Sequence, residues 1–227
     1  MPEETPLSIH EPTGTAKAGV VVIQEAFGVN DHIEDVCRRF AAEGYLAVAP
    51  HLFHRTGDPK LGYTDMAEVF PHMRGLTAEG VLADVDAALA HLQASGISAA
   101  KTGVVGFCMG GTVTLIVAAE RPVGAGVTFY GGGVTEGRFG FPALVDEAPK
   151  LQAPWLGLFG DLDQGIPVDQ VEQLRAAAAS SSQPTEVVRY AEAGHGFHCD
   201  QRESYHESSA RDAWTRTLAW FDQHLAD

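Results

Sequence analysis

Cys108 stands in the stretch Gly106-Phe107-Cys108-Met109-Gly110-Gly111, with a glycine two residues to either side. That spacing suits a sharp strand-to-helix turn, which holds a nucleophile in a strained backbone conformation and leaves no room for side chains at the flanking positions. An apolar run, Gly103 to Val105, precedes the turn, and an apolar helical pattern, Thr112 to Ala119, follows it. The thiol is therefore expected at a helix N-terminus, whose dipole favours a thiolate. Covalent chemistry at such a thiol needs a base and a group to orient that base. His195, flanked by Gly194 and Gly196, is the candidate base, and Asp161 or Asp163, in Gly160-Asp161-Leu162-Asp163, is the candidate orienting acid.

These residues must be delivered by a common scaffold. Gly19 to Gln24 is a continuous β-branched run of the kind found in strands buried on both faces, and it ends at Glu25. Leu7 to His10 suits an edge strand. A helix capped by Asn30 or Asp31 runs through Glu43, with Ile33, Val36, Cys37 and Phe40 on its apolar stripe and Gly44 as its stop. Cys37 thus reads as core. Tyr45 to Ala49 is a second buried strand, followed by a loop from His51 to Gly62 and helical patterns over Tyr63 to Met73 and Thr77 to Ser95.

Beyond the Cys108 turn, strands are expected at Gly126 to Tyr130, Pro154 to Phe159 and Thr185 to Tyr190, and helices at Val168 to Ser180 and His206 to Leu225. Glycine-rich loops, Gly131 to Gly140 and Ala191 to Glu203, complete the pattern. Strands alternating with helices imply an α/β fold with a mostly parallel, doubly wound sheet. Ligands bind beyond the carboxyl ends of strands in such sheets, and Glu25, Cys108, Asp163 and His195 each follow a predicted strand. The order nucleophile, acid, histidine is the one that accompanies this kind of elbow.

Composition narrows the function classes. With 227 residues, 45% of them hydrophobic, the whole chain 1–227 is expected to form one domain. Fifteen basic against thirty acidic residues give a net charge of −15, which argues against nucleic acid or an anionic membrane as partner. The acidic N-terminus lacks the pattern of a signal peptide, and no apolar run reaches the ~20 residues of a membrane span, so a cytoplasmic location is expected. Three cysteines, Cys37, Cys108 and Cys199, make a disulfide framework unexpected. His51-Leu52-Phe53-His54 and His195-Gly196-Phe197-His198-Cys199 pair potential ligands without a zinc-binding helical motif, so no metal is expected. No cofactor motif is visible; Gly131-Gly132-Gly133 lacks dinucleotide-loop spacing and reads as a flexible loop.

Four ordered pieces carry a resemblance: Gln24-Glu25-Ala26-Phe27-Gly28-Val29-Asn30, the Cys108 turn, Asp163 with Ile166-Pro167, and Gly194-His195-Gly196-Phe197. From Gly19 onward the sequence resembles the dienelactone hydrolase family of α/β-hydrolases. The resemblance implies a single-domain α/β-hydrolase fold of about seven strands, and hydrolysis of a small carboxylic ester or lactone through an acyl-enzyme on Cys108. His195 would be the general base and Asp163, four residues before Pro167, its partner. Glu25 would sit beside the thiol and hold its proton until substrate arrives, and the amides of Ala26 and Met109 would form the oxyanion hole.

The family places an arginine four residues after the histidine to grip a substrate carboxylate, and here that position is Cys199. Arg202 is the candidate substitute, and Arg55 and Arg74 are candidates for a second substrate-binding arginine after the second strand. The chemistry therefore carries over more fully than the substrate preference. A monomer or small homo-oligomer is expected. The second reading is a noncatalytic binding or thiol redox protein on the same scaffold, supported by Cys108 at a helix N-terminus with Cys199 near the expected pocket.

Overall fold

Among the described residues, seven strands form one sheet in the order β1-β3-β2-β4-β5-β6-β7, in which only the β1–β3 pairing is antiparallel. The computed structural model describes residues 4–64 and 66–225. The strands are β1 (Leu7–His10), β2 (Ala18–Ile23), β3 (Tyr45–Pro50), β4 (Thr102–Phe107), β5 (Ala125–Phe129), β6 (Trp155–Gly160) and β7 (Thr185–Tyr190). The helices are α1 (Asp31–Ala42), α2 (Met66–Arg74), α3 (Ala78–Ala94), α4 (Met109–Glu120), α5 (Leu144–Glu147), α6 (Val168–Ala178) and α7 (Glu207–His224).

Every residue of β2, β3, β4, β5 and β6 is buried, which is why these strands read as unbroken apolar runs rather than alternating ones. β7 lies at one edge and is half exposed, and β1 closes the other edge through the Leu7↔Pro50 to His10↔Ala47 register. The central helix α4 is buried at every position from Met109 to Ala119 and packs against β4 and β5. Such an element has no amphipathic stripe to read, because solvent reaches neither side of it.

Most boundaries fall within two residues of the sequence expectation, and three differences have physical reasons. α4 begins at Met109 rather than Thr112, because Met109 follows the reversal at Cys108 at once and Gly110 and Gly111 lie inside the first turn. α2 begins at Met66 rather than Tyr63, since the Tyr63 hydroxyl accepts a hydrogen bond from Asn30 Nδ2 at 2.9 Å and ties that residue to the β2 end instead; Asp65 lies outside the described residues. Gly131 to Val134 is buried rather than a free loop, with the Gly132 carbonyl accepting the Thr112 hydroxyl at 2.8 Å. Asn30 caps α1, its side-chain oxygen accepting from the Ile33 amide at 3.3 Å. Among the described residues no helix is long and apolar enough to cross a membrane.

Candidate active site

Cys108 sits between the last residue of β4 and the first of α4 with φ 54° and ψ −114°, a conformation that costs about 1–3 kcal/mol for a residue with a Cβ. Its surroundings hold it there. The Cys108 amide donates to the Phe129 carbonyl at 3.1 Å, and its carbonyl accepts from the amides of Gly111 at 3.0 Å and Thr112 at 3.3 Å. A Cβ at Gly106 would run into the Gly110 carbonyl, and one at Gly110 into the Ile23 carbonyl. The glycine spacing is therefore a packing requirement of backbone against backbone.

His195 and Asp163 arrive on the loops after β7 and β6. Asp163 is 4% exposed; its Oδ2 accepts a hydrogen bond from His195 Nδ1 at 2.6 Å, while Oδ1 accepts one from the Gly165 amide at 2.8 Å. That leaves Nε2 of the imidazole unused by Asp163, and the Cys108 sulfur lies near enough for its charge to act on the ring. Burial pulls the imidazole down, but the charge of the Cys108 sulfur and the bond to Asp163 outweigh it and bring His195 up to about 10. Because the folded value lies above the ordinary 6.5, this group's stabilisation is complete below pH 6.5 and is lost as pH rises through about 10. An NMR titration of His195 is expected to show a midpoint far above the ordinary range in the wild type and a clearly lower one in Cys108→Ala. An unchanged midpoint would mean that the sulfur does not set the protonation of the ring.

Asp161 is occupied elsewhere. It accepts Arg189 Nε at 2.7 Å and Nη2 at 2.8 Å, joining the ends of β6 and β7. Asp161→Asn is expected to leave turnover within about twofold and to cost at most about 1 kcal/mol, as half-exposed ion pairs do; a large fall in kcat with the fold intact would contradict this.

Glu25, at the end of β2, is 1% exposed, and its Oε1 accepts Arg202 Nη1 at 3.2 Å while Oε2 is buried without a partner among the described residues. The Arg202 guanidinium lies 5.5 Å from the ring centroids of both Phe27 and Tyr63, so it is pinned by two aromatic faces and one carboxylate. Burial pulls Arg202 down, but the charges of Glu25, Tyr130, Cys108 and Cys199 raise it above its ordinary value. Ala26 and Met109 line the same cavity as Cys108 and His195. Met109, as the first residue of α4, has no intrahelical acceptor for its amide, and neither amide makes a loop hydrogen bond among the described residues.

The cavity has a volume of about 520 Å³ and an apolar wall of Phe27, Met66, Phe70, Met73, Phe139 and Leu162. Three sequence candidates lie off it. Arg55 grips the fully buried Asp84 with Nη1 at 2.7 Å and Nη2 at 2.9 Å, because a buried carboxylate requires a charged partner. Arg74 lies in the last turn of α2 beside a neighbouring surface hollow. Cys199 is wholly buried, is pushed up to about 11 chiefly by that burial, and hydrogen-bonds to Tyr63.

The paired histidines diverge as well: His51 pairs with Asp58, His54 with Asp84, and His198 is buried against Phe107 and Phe129. Donor atoms of Glu25, His32 and Cys199 do lie within 4.8 Å of one another, but Arg202 already supplies a cation to Glu25. Sequence reasoning missed Tyr130, whose ring lies 5.1 Å from that of His195 and whose buried hydroxyl has no partner among the described residues. It also missed Arg138, which lines the cavity. Neither belongs to a recognisable motif.

A mostly parallel sheet flanked by helices, with a strained residue at a strand-to-helix elbow and an acid and a histidine on later strand ends, defines an α/β-hydrolase. The family model described as "Dienelactone hydrolase family" matches residues 7–225, and the chain belongs to that family. A Salmonella typhimurium protein named "Putative carboxymethylenebutenolidase" is 43% identical over 211 residues, covering 90% of this chain and 77% of that protein. A Bradyrhizobium protein named "Probable 2-oxo-3-(5-oxofuran-2-ylidene)propanoate lactonase" is 29% identical over 218 residues, covering 94% of this chain and 87% of that one. The crystal structure of a "Putative Dienelactone Hydrolase" from Klebsiella pneumoniae superposes with a TM-score of 0.89 at 42% identity, covering 97% of this chain and 94% of that one.

Proposed function

We propose that this hydrolase cleaves carboxylic esters or lactones by covalent catalysis at Cys108, as a carboxymethylenebutenolidase-type enzyme with a Cys108-His195-Asp163 triad. The observation that supports the reading is the Asp163–His195 hydrogen bond at 2.6 Å, with His195 and Cys108 lining one cavity and the charge of the sulfur acting on the imidazole. The Cys108 sulfur attacks the carbonyl carbon, and the oxyanion formed is held by the amides of Ala26 and Met109. The tetrahedral adduct collapses, the C–O bond to the leaving alkoxide breaks, and the proton held on His195 Nε2 goes to that oxygen. Water then attacks the thioester, His195 takes its proton, and the acid is released with Cys108 regenerated. Asp163 keeps the ring in the tautomer that serves both steps.

Glu25 and Arg202 govern the thiol from the side. The Glu25 carboxylate is held in place by Arg202, whose guanidinium is close enough to Cys108 to be raised by its charge. Support for the substrate class comes from the names of the Salmonella and Bradyrhizobium relatives and from the apolar cavity wall. The test is turnover by the wild type of a panel containing one dienelactone and several p-nitrophenyl esters. Hydrolysis of at least one member is expected. No turnover of any, with thiol titre falling instead under mild peroxide, would favour a redox protein.

A further inference from the structure

Behind Arg202, which lines the cavity, three buried side chains from separate parts of the chain converge. Glu25 follows β2, His32 lies in the first turn of α1, and Cys199 lies on the loop after β7. They are 1%, 0% and 0% exposed, and one ligand atom from each lies within 4.8 Å of the others. Buried polar atoms are nearly always paired, because stripping their water without replacing it is costly. Three atoms of this group are not: Glu25 Oε2 and both ring nitrogens of His32 have no hydrogen-bond partner among the described residues. Asp200 Oδ1 lies 3.9 Å from His32 Nδ1, beyond hydrogen-bond reach.

The donor set points to a particular kind of ion. A thiolate, an imidazole and a carboxylate are the ligand types that hold Zn2+, and three of them leave a fourth position for water. Magnesium and calcium take oxygen ligands and have no use for the sulfur. A tetrahedral zinc with ligands at about 2.0–2.3 Å keeps them about 3.3–3.8 Å apart, so the three side chains need to close by roughly an ångström. Their backbones are fixed, since Asn30 caps α1 and the Cys199 amide donates to the Gly196 carbonyl at 3.0 Å. Side-chain torsions therefore supply the closure. Arg202 is no obstacle to a second cation: it engages Glu25 through Oε1 at 3.2 Å and leaves Oε2 for the ion.

We propose that Glu25, His32 and Cys199 form a binding site for a thiophilic divalent cation of the zinc class, separate from Cys108, His195 and Asp163. Binding replaces the Cys199 S–H bond with a metal–sulfur bond, and the proton leaves to solvent. With Nε2 of His32 on the metal, Nδ1 faces Asp200, the carboxylate that ligating histidines commonly have behind the ring. The site does not depend on Cys108 being a nucleophile.

The test uses tag-free, reduced Cys108→Ala, whose cavity thiol is gone, titrated with Co2+ and then Zn2+. One Co2+ per chain is expected, with a thiolate-to-cobalt charge-transfer band in the near ultraviolet that Zn2+ removes. Cys199→Ser in that background should abolish the band. His32→Gln should weaken Zn2+ at least tenfold, since even losing a residue behind a ligand costs about 10–100-fold. Zn2+ should also raise the melting temperature of Cys108→Ala and leave that of the Cys199→Ser protein unchanged. X-ray absorption at the zinc edge of loaded Cys108→Ala needs no second variant and should show one sulfur at about 2.3 Å beside nitrogen and oxygen ligands. A band that survives Cys199→Ser would place the metal at Cys37 and overturn the site. Equal affinity in folded His32→Gln, a zinc shell without sulfur, or no binding of either ion would overturn it as well.

Discussion

Cys108→Ala is expected to lower kcat by about four to six orders of magnitude on any ester the wild type cleaves, while the protein stays folded. In the proposed mechanism the sulfur is the atom that forms the bond to the acyl group, and the alanine side chain has nothing to put in its place. The fold should survive because alanine has the same Cβ: the backbone strain at φ 54° is unchanged, and the three backbone hydrogen bonds around residue 108 do not involve the side chain. Rates measured beside circular dichroism of both proteins check this. A folded variant within tenfold of the wild type would place the chemistry elsewhere.

The second large effect concerns the imidazole and its partner. His195→Ala is expected to cost roughly a thousandfold or more in kcat, since attack, departure of the alkoxide and hydrolysis of the thioester all use the same proton site. Asp163→Asn is expected to cost about a hundredfold to ten-thousandfold for a different reason. An asparagine amide facing Nδ1 would donate where the carboxylate now accepts at 2.6 Å, and would drive the ring proton to Nε2, the nitrogen that must face the sulfur. The double variant should lose little more than His195→Ala alone, because both act through one ring. Strict additivity of the two losses would contradict a shared role.

The fold was largely legible in the sequence because strands buried on both faces leave unbroken β-branched runs, as at Gly19 to Gln24, and glycines stop the helices, as Gly44 and Gly96 do. The elbow was legible through the spacing of Gly106 and Gly110, which backbone contacts enforce. Less was visible where long-range contact decides. Nothing local says that Arg55 is drawn to Asp84, since the partner is a buried carboxylate 29 residues away on α3. Arg138 escaped notice because its position depends on the fold of the segment after β5 over bare glycines, which no periodicity announces. Arg202 came into view only as a displaced candidate, and its bond to Glu25 spans 177 residues.

The central claim is a covalent acyl group on Cys108. The direct measurement is an acid quench of the wild type during turnover of the p-nitrophenyl ester it cleaves fastest, followed by intact mass and peptide mapping. One acyl group per chain is predicted, on the peptide that carries Cys108 and removable by hydroxylamine as a thioester. Steady turnover with the acyl group on another residue would contradict the account, as would a burst-free reaction in which no acylated protein forms while Cys108→Ala keeps its activity.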